Sequence, residues 1–489
     1  VTYAFAMKIS PLALLFVLLF GGIGAAWFLR EHQVMRNDSA PPEVLERRVE
    51  VSEENLNKQI QLLEGQVEYL QGQVGALQEE NTQLLQKLSQ QGQRGIPKMD
   101  AVSAPVDELP DFSGIELEML KFRKLQALPL TSRRVGLIEV EKAILDWLRS
   151  QQPGDDAPKL ALALHALGWI EAPVDPLPPL AAVLARQLGG WYDVQAGLLL
   201  IVDDPPTPGM PATDRAFAVA FGQLLREYGH ILFPSKRSMT TDERLARLAL
   251  ITGDAALTRF LFSMQNAIPR ATSDLPPEDP DHPLNQVQMP VYLKELALFP
   301  FARGFELAQS LHSTGGFAQI NAAYSAPPAS CAEVIEPERL LNAQRPMLIE
   351  AGPQHVEIMG EQPFLEDRVG RFATFTALRA YVSDEEAGRA VQGWAGDRLL
   401  AYAAPDHDRD QALWETSWDS RESALAFFKA MRSCLTQRYD AKPTLDSATE
   451  LHLQAGGRAV RLLILAEGKA VRLVDAADPK FAEAAGKAL

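Results

Sequence analysis

A chain of 489 residues exceeds what one hydrophobic core organises, so two or more structured regions are expected. Its 47% hydrophobic and 22% charged residues are ordinary globular usage and exclude bulk disorder. A net charge of −16 argues against a nucleic-acid partner, because phosphate backbones are held through surplus Lys and Arg.

The first element in chain order is an uncharged run, residues 11–29, with Lys8 before it and Arg30 after it. As a helix rising about 1.5 Å per residue it reaches roughly 28 Å, the thickness of a bilayer core. It is expected to be a transmembrane signal anchor, since Trp27 and Phe28 carry the apolar run to an aromatic edge. Cleavage near Gly24-Ala25-Ala26, as in a removed signal peptide, is the alternative. Either reading exports the rest of the chain to the extracytoplasmic, periplasmic side, and the anchor makes the membrane a partner.

Residues 43–91 follow a Pro-containing joint and carry the clearest periodicity. Leu56, Leu63, Leu70, Leu77 and Leu84 repeat every seven residues, with Ile60, Val67, Val74, Asn81 and Leu88 interleaved. Leu at d with mostly β-branched residues at a favours a parallel two-stranded coiled coil, and Asn81 suits a register-fixing polar pair. A homodimer through residues 49–88 is therefore expected; a single amphipathic helix folded back on its own domain is the alternative. Residues 92–114, rich in Gly, Pro and Ser, read as a linker.

Beyond it, helical spacing marks residues 137–148 and 160–167, and 198–202 (LLLIV) is a short buried-strand candidate. Asp214 is placed to cap a helix running to about His230, and a further helix is expected from Thr241 to about Met264. Residues 460–474 read as two strands around Glu467-Gly468-Lys469, a hairpin. The fold class expected is α+β, with regions at 115–345 and 346–489, the second of mixed α/β character. Cys331 and Cys434 have no Cys or His at zinc-ligand spacing, and are expected as two unpaired thiols, a disulfide being the alternative.

Several ordered segments carry a resemblance. They are Gly190-Trp191-Tyr192-Asp193 before the strand, Arg226-Glu227-Tyr228-Gly229-His230, and Thr252-Gly253-Asp254-Ala255 on the next helix. Downstream come Pro327-Pro328-Ala329-Ser330-Cys331-Ala332-Glu333 with Pro337-Glu338-Arg339, then Gly393 to Arg398, Trp414 to Trp418 and Ala424 to Phe428. In this order, over roughly Glu116 to Tyr439, they resemble a bacterial family of zinc metallopeptidases of the gluzincin type. The resemblance implies a helix-rich zincin-like domain, an HExxH helix, and a third zinc ligand, Glu, on the following helix.

The departures carry the functional expectation. HExxH places two His at i and i+4 on one face, so both imidazoles reach one zinc. Here Arg226 stands at the first His position and Thr252 at the third-ligand position; Glu227, His230 and Asp254 remain. Ala332 and Glu336 replace the family's Glu and His in the later stretch. With two of three ligands absent, zinc is expected to be lost and no catalytic residue is expected. The reading is a membrane-anchored pseudoenzyme acting as an extracytoplasmic interaction or scaffold protein, whose former cleft offers a peptide or protein site. The alternative is an active metallopeptidase with an altered ligand set, His230 with Glu227 and Asp254; a structural spacer of the cell envelope is a third. Arg226 is expected either to pair with Glu227 or Asp254 in place of the metal charge or to lie on an exposed helix face.

Overall fold

The computed structural model describes residues 113–125, 131–151, 156–188, 190–193, 196–202, 212–234, 239–266, 287–346, 357–404, 407–465 and 467–487. These all lie within one unit, Leu109–Leu489. The expected anchor (11–29), coiled coil (43–91) and most of the linker (92–114) lie outside the described residues.

Helix α1 (Ser113–Arg123) leads to strand β1 (Thr131–Val135) and helix α2 (Leu137–Ser150). Helix α2 buries Val140, Ile144 and Leu148, every fourth residue, which is the stripe its spacing predicts. Helices α3 (Asp156–Ala166) and α4 (Leu177–Leu188) precede strands β2 (Gly190–Asp193) and β3 (Leu198–Val202). These strands form a small sheet in the order β1-β3-β2, with β3 parallel to β1 and antiparallel to β2. The central position of β3 explains its unbroken apolar run, since both its faces are covered.

Helix α5 (Ala212–Leu232) lies on β2, and helices α6 (Thr241–Asn266) and α7 (Val291–Ser325) complete a bundle beside it. Helix α5 begins before Asp214, so that residue lies within the helix. Helices α6 and α7 meet backbone to backbone. A Cβ on Gly253 would strike the carbonyl of Gly304, and one on Gly304 would strike the carbonyl of Ala249. Helix α7 breaks at Gly315 and Gly316, whose dihedrals are non-helical, so residues 317–325 form a separate helical piece.

Two short helices, α8 (Cys331–Ile335) and α9 (Pro337–Leu341), lead to strand β4 (Leu365–Asp367) and helices α10 (Gly370–Arg379) and α11 (Asp384–Ala390). Strands β5 (Trp394–Tyr402) and β6 (Gln411–Trp418), helix α12 (Arg421–Tyr439), strands β7 (Leu445–Asp446), β8 (Glu450–Ala455), β9 (Arg458–Ile464) and β10 (Ala470–Ala476), and helix α13 (Pro479–Lys487) follow. The sheet order is β4-β5-β6-β10-β9-β8-β7. The expected hairpin is β9–β10, paired antiparallel. One face carries Trp394, Trp414, Trp418 and Phe427 in its core; the other packs Leu400, Tyr402, Leu413 and Val474 against Phe481 of α13.

Helix α3 belongs to this second core. Ala161, Leu164 and Leu167 are buried with the sheet, and Trp169 meets Trp414 edge-on at 5.0 Å. Arg458 donates to the carbonyl of Ala166 at 3.2 Å and Arg438 to that of Leu167. Both guanidiniums thus satisfy carbonyls that the end of α3 leaves open, where the helix dipole favours a cation.

The described C-terminal region is compatible with the α+β class expected of it, and its sheet is antiparallel at every pairing. One expectation is corrected here. Among the described residues no helix is long and apolar enough to cross a membrane, and the membrane-anchored fold and extracytoplasmic location are not carried further. The longest helix, α7, carries Lys294, Glu295, Arg303 and Glu306 and is interrupted at Gly315, which is the physical reason it cannot span one.

The α6–α7 contact predicts that Gly304→Ala destabilises the protein by about 1–3 kcal/mol, because carbonyl and methyl compete for one space. Gly388→Ala on α11, where an added Cβ meets nothing within 4 Å, should instead stabilise by about 0.5–1 kcal/mol. Urea denaturation of both variants checks the difference. Equal effects would mean that the close approach is not what holds the two helices.

Candidate functional site

Helix α5 presents the segment from Arg226 to His230 in a specific way. Glu227 and His230 are exposed, Arg226 is half-buried, and Tyr228 turns inward. The Tyr228 ring stacks on Tyr324 of α7, with centroids 4.0 Å apart and planes 7° from parallel. Burial first, and then the Glu227 carboxylate, pushes the Tyr228 hydroxyl up to about 12. At neutral pH it is therefore a neutral donor.

Beneath these rings lies Asp254 of α6, fully buried. Arg123, at the end of α1 and also 0% exposed, grips it with two hydrogen bonds, Nε to Oδ1 at 2.8 Å and Nη2 to Oδ2 at 2.7 Å. Such a two-point grip is the strongest form a guanidinium–carboxylate pair takes. Tyr324 donates its hydroxyl to Oδ2 at 3.0 Å and Thr258 donates to Oδ1 at 3.3 Å. The guanidinium donates again to Asn321 at 2.7 Å and lies over the Phe317 ring, 4.5 Å from its centroid. Phe317, Asn321 and Tyr324 fall at i, i+4 and i+7 on one face of the helical piece after the Gly315–Gly316 break. The break is what aims that face at Arg123.

Of the alternatives expected for Arg226, pairing with Asp254 is not the one this arrangement shows. Asp254 is held by Arg123, a residue from a different helix with no motif around it. Burial of a carboxylate requires a cation and donors close by, and α1 supplies them.

Thr252 is likewise fully buried, and its hydroxyl donates to main-chain carbonyls: Leu248 at 2.8 Å and Pro300 of α7 at 2.6 Å. It sits in the seam where α6 and α7 touch, beside Gly253. Thr252 serves helix packing, not a cleft shared with His230.

The same is true of the later stretch. Ser330 caps α8 by accepting from the Ala332 amide at 3.1 Å, Glu333 accepts from the Ala329 amide at 2.6 Å, and Glu336 pairs with Arg371 and Arg339. Cys331 and Cys434 are buried free thiols.

These residues do not fit the zinc that the resemblance implies. Both Asp254 oxygens are taken by four donor bonds, the Thr252 hydroxyl is directed at carbonyls, and His230 and Glu227 lie exposed on another helix. Among the described residues no group of three or more His, Cys, Asp or Glu is placed to hold a metal ion. Sequence reasoning found Asp254 and missed Arg123, Asn321 and Tyr324. The i, i+4, i+7 spacing of the α7 face was available, but the Gly315–Gly316 break just before it cuts that face off from the helix upstream.

Removing one partner should expose the cost of the pair. Arg123→Met leaves a buried carboxylate uncompensated and is expected to destabilise by about 3–5 kcal/mol, while Arg123→Met with Asp254→Leu recovers a substantial part. Denaturant titration of the three proteins measures this. A loss below about 1 kcal/mol for the single variant would remove the pair from its central place.

Residues 361–485 match a family described as a domain of unknown function, DUF8575. No curated protein and no solved structure matches the chain. The matched residues span β4 to α13 and begin downstream of Arg226, Glu227, His230, Thr252 and Asp254, so the chain's C-terminal sheet is similar to that domain.

Proposed function

We propose that this chain is a non-catalytic interaction or scaffold protein built on a metallopeptidase-like helical frame. One observation carries the reading: the carboxylate on the helix that resembles the third-ligand helix is clamped at two points by a buried, permanently charged guanidinium. A divalent cation needs several converging donors, and the positive charge it would bring to Asp254 is already supplied by Arg123. The outward Glu227 and His230 on α5 favour contact with a partner over chemistry in a closed cleft. The pairing expected from the heptad of residues 49–88 belongs to the same proposal, and a chain whose heptads pair would carry two such frames.

Metal analysis of the purified full chain, together with peptide-cleavage assays with and without chelator, tests the catalytic half. Less than about 0.1 zinc per chain and no chelator-sensitive cleavage are expected. Stoichiometric zinc lost on His230→Ala, or cleavage that a chelator abolishes, would overturn it in favour of an active peptidase with an altered ligand set. Light scattering of the full chain and of a variant with Leu63, Leu70 and Leu77 changed to Ser tests the pairing. A dimer that becomes a monomer is expected, and a monomeric parent would refute it.

A further inference from the structure

Helix α3 starts in one core and ends in the other. Ala157 of its first turn packs with the first core, while Leu164, Leu167 and Ile170 at its far end pack with the large sheet. That far end closes on itself in a defined way. The Gly168 amide donates to the carbonyl of His165 at 2.9 Å, the Trp169 amide donates to that of Leu164 at 2.9 Å, and Gly168 takes φ +62°. This is the left-handed glycine terminator of a helix, and it leaves the last carbonyls, of Ala166 and Leu167, directed outward.

Those two carbonyls are the ones the sheet receives. Arg458 of β9 donates to Ala166 at 3.2 Å, and Arg438 of α12 donates to Leu167. The glycine is matched as well, because a Cβ on Gly168 would strike the Arg438 guanidinium. Trp169, the residue after it, meets Trp414 of β6 edge-on at 5.0 Å and Tyr292 of α7 at 5.3 Å.

The receiving groups are fixed by bonds that do not involve α3. Asp475 of β10, fully buried, accepts from Arg458 Nε at 2.8 Å, pairs with Arg438 at 3.6 Å and accepts from the Tyr439 hydroxyl at 2.6 Å. Arg458 Nη1 donates to the carbonyls of Arg409 and Asp410 at 3.0 and 2.9 Å, and Arg438 lies 4.7 Å from the Tyr439 ring centroid. Guanidiniums held in place in advance lose little freedom when an acceptor arrives. Trp414, Arg438, Tyr439, Arg458 and Asp475 all fall within residues 361–485, whereas α3 does not.

We propose that residues 361–485 form a receptor for a helix C-terminus, with α3 as the occupant carried in this chain and a helix closed by glycine and then an aromatic residue as the class of partner it accepts. The site reads three features: two outward carbonyls at the negative end of a helix dipole, a backbone turn that glycine adopts without strain, and a ring to set against Trp414. It gives the interaction reading a second surface, away from the exposed face of α5.

The test uses the full chain carrying Gly168→Val and Trp169→Ser, which removes the chain's own terminator because a β-branched residue does not adopt that turn. A synthetic peptide with the sequence of residues 156–172 is expected to bind this variant saturably. In excess it should raise the variant's Tm by about 2–5 °C and leave the parent's unchanged. The same peptide with Gly168→Val and Trp169→Ser should do neither. A folded variant that ignores the peptide, or one that takes both peptides equally, overturns the proposal. Should the variant not fold, hydrogen exchange of the parent decides. The amides of Leu167, Gly168 and Trp169 are then expected to open about tenfold or more as often as those of β6 and β10, as an occupant leaving a standing site does. Exchange of both groups only in one global event overturns it. No outcome depends on zinc content, peptide cleavage or pairing of the heptads, so failure here is distinct from failure of the functional reading.

Discussion

Ionised carboxylates are costly in a protein interior unless donors and cations surround them, and helix α6 buries three: Asp242 and Glu243 near its start, the second paired with Arg247 of the same helix, and Asp254 near its middle. Much of the helical arrangement follows from meeting that requirement. To reach Asp254, α1 must end with Arg123 against α6, and α7 must break so that Asn321 and Tyr324 close the shell. To reach Asp242, the stretch before α8 and the β4–α10 connection must both arrive at the head of α6, bringing the Cys331 amide and Arg368. One helix thereby fixes the positions of α1, α7, α8 and the near edge of the large sheet.

Apolar spacing made the local elements legible. Val140, Ile144 and Leu148 give α2 its stripe, residues 198–202 form the covered strand β3, and the run at 460–474 is the β9–β10 hairpin. These depend on contacts with a short repeat, which a linear reading detects. The site was legible only in part. Asp254 stands in a motif-like stretch, but Arg123 is 131 residues away in sequence with nothing local to distinguish it. Asp242, Asp367 and Asp397 are single acidic residues in three unrelated segments, and only the folded chain brings them to the starts of α8, α6 and α10. Arg226 and His230 kept the i, i+4 spacing of a ligand pair while their helix turned Tyr228 inward instead.

The large sheet is similar to a recurring domain over residues 361–485, yet in this chain it is not closed by those residues alone. Helix α3, some 200 residues upstream by the numbering, covers part of one sheet face, and Arg438 and Arg458 hold its last carbonyls. Asp475 anchors those arginines, accepting from Arg458 at 2.8 Å and pairing with Arg438 at 3.6 Å, and it also accepts from the Tyr439 hydroxyl at 2.6 Å. Separating the sheet from α3 would strip Trp414 of its edge contact with Trp169 and leave the Arg458 guanidinium short of an acceptor. Residues 115–345 and 346–489, expected as two regions, are therefore interlocked in packing at α3 and again at the head of α6.

The carboxylates of α6 that are gripped from elsewhere in the chain, Asp242 and Asp254, differ in what they tie together. At Asp254 one carboxylate meets one guanidinium and two hydroxyl donors, all carried by helices α1, α6 and α7. At Asp242 the partners are Arg368, from the connection between β4 and α10, and the Cys331 amide at the start of α8. A buried carboxylate that loses its partners is costly, so each contact holds its elements in place. Asp254 thus locks helix to helix at the centre of α6, while Asp242 locks the head of the same helix to the near edge of the large sheet.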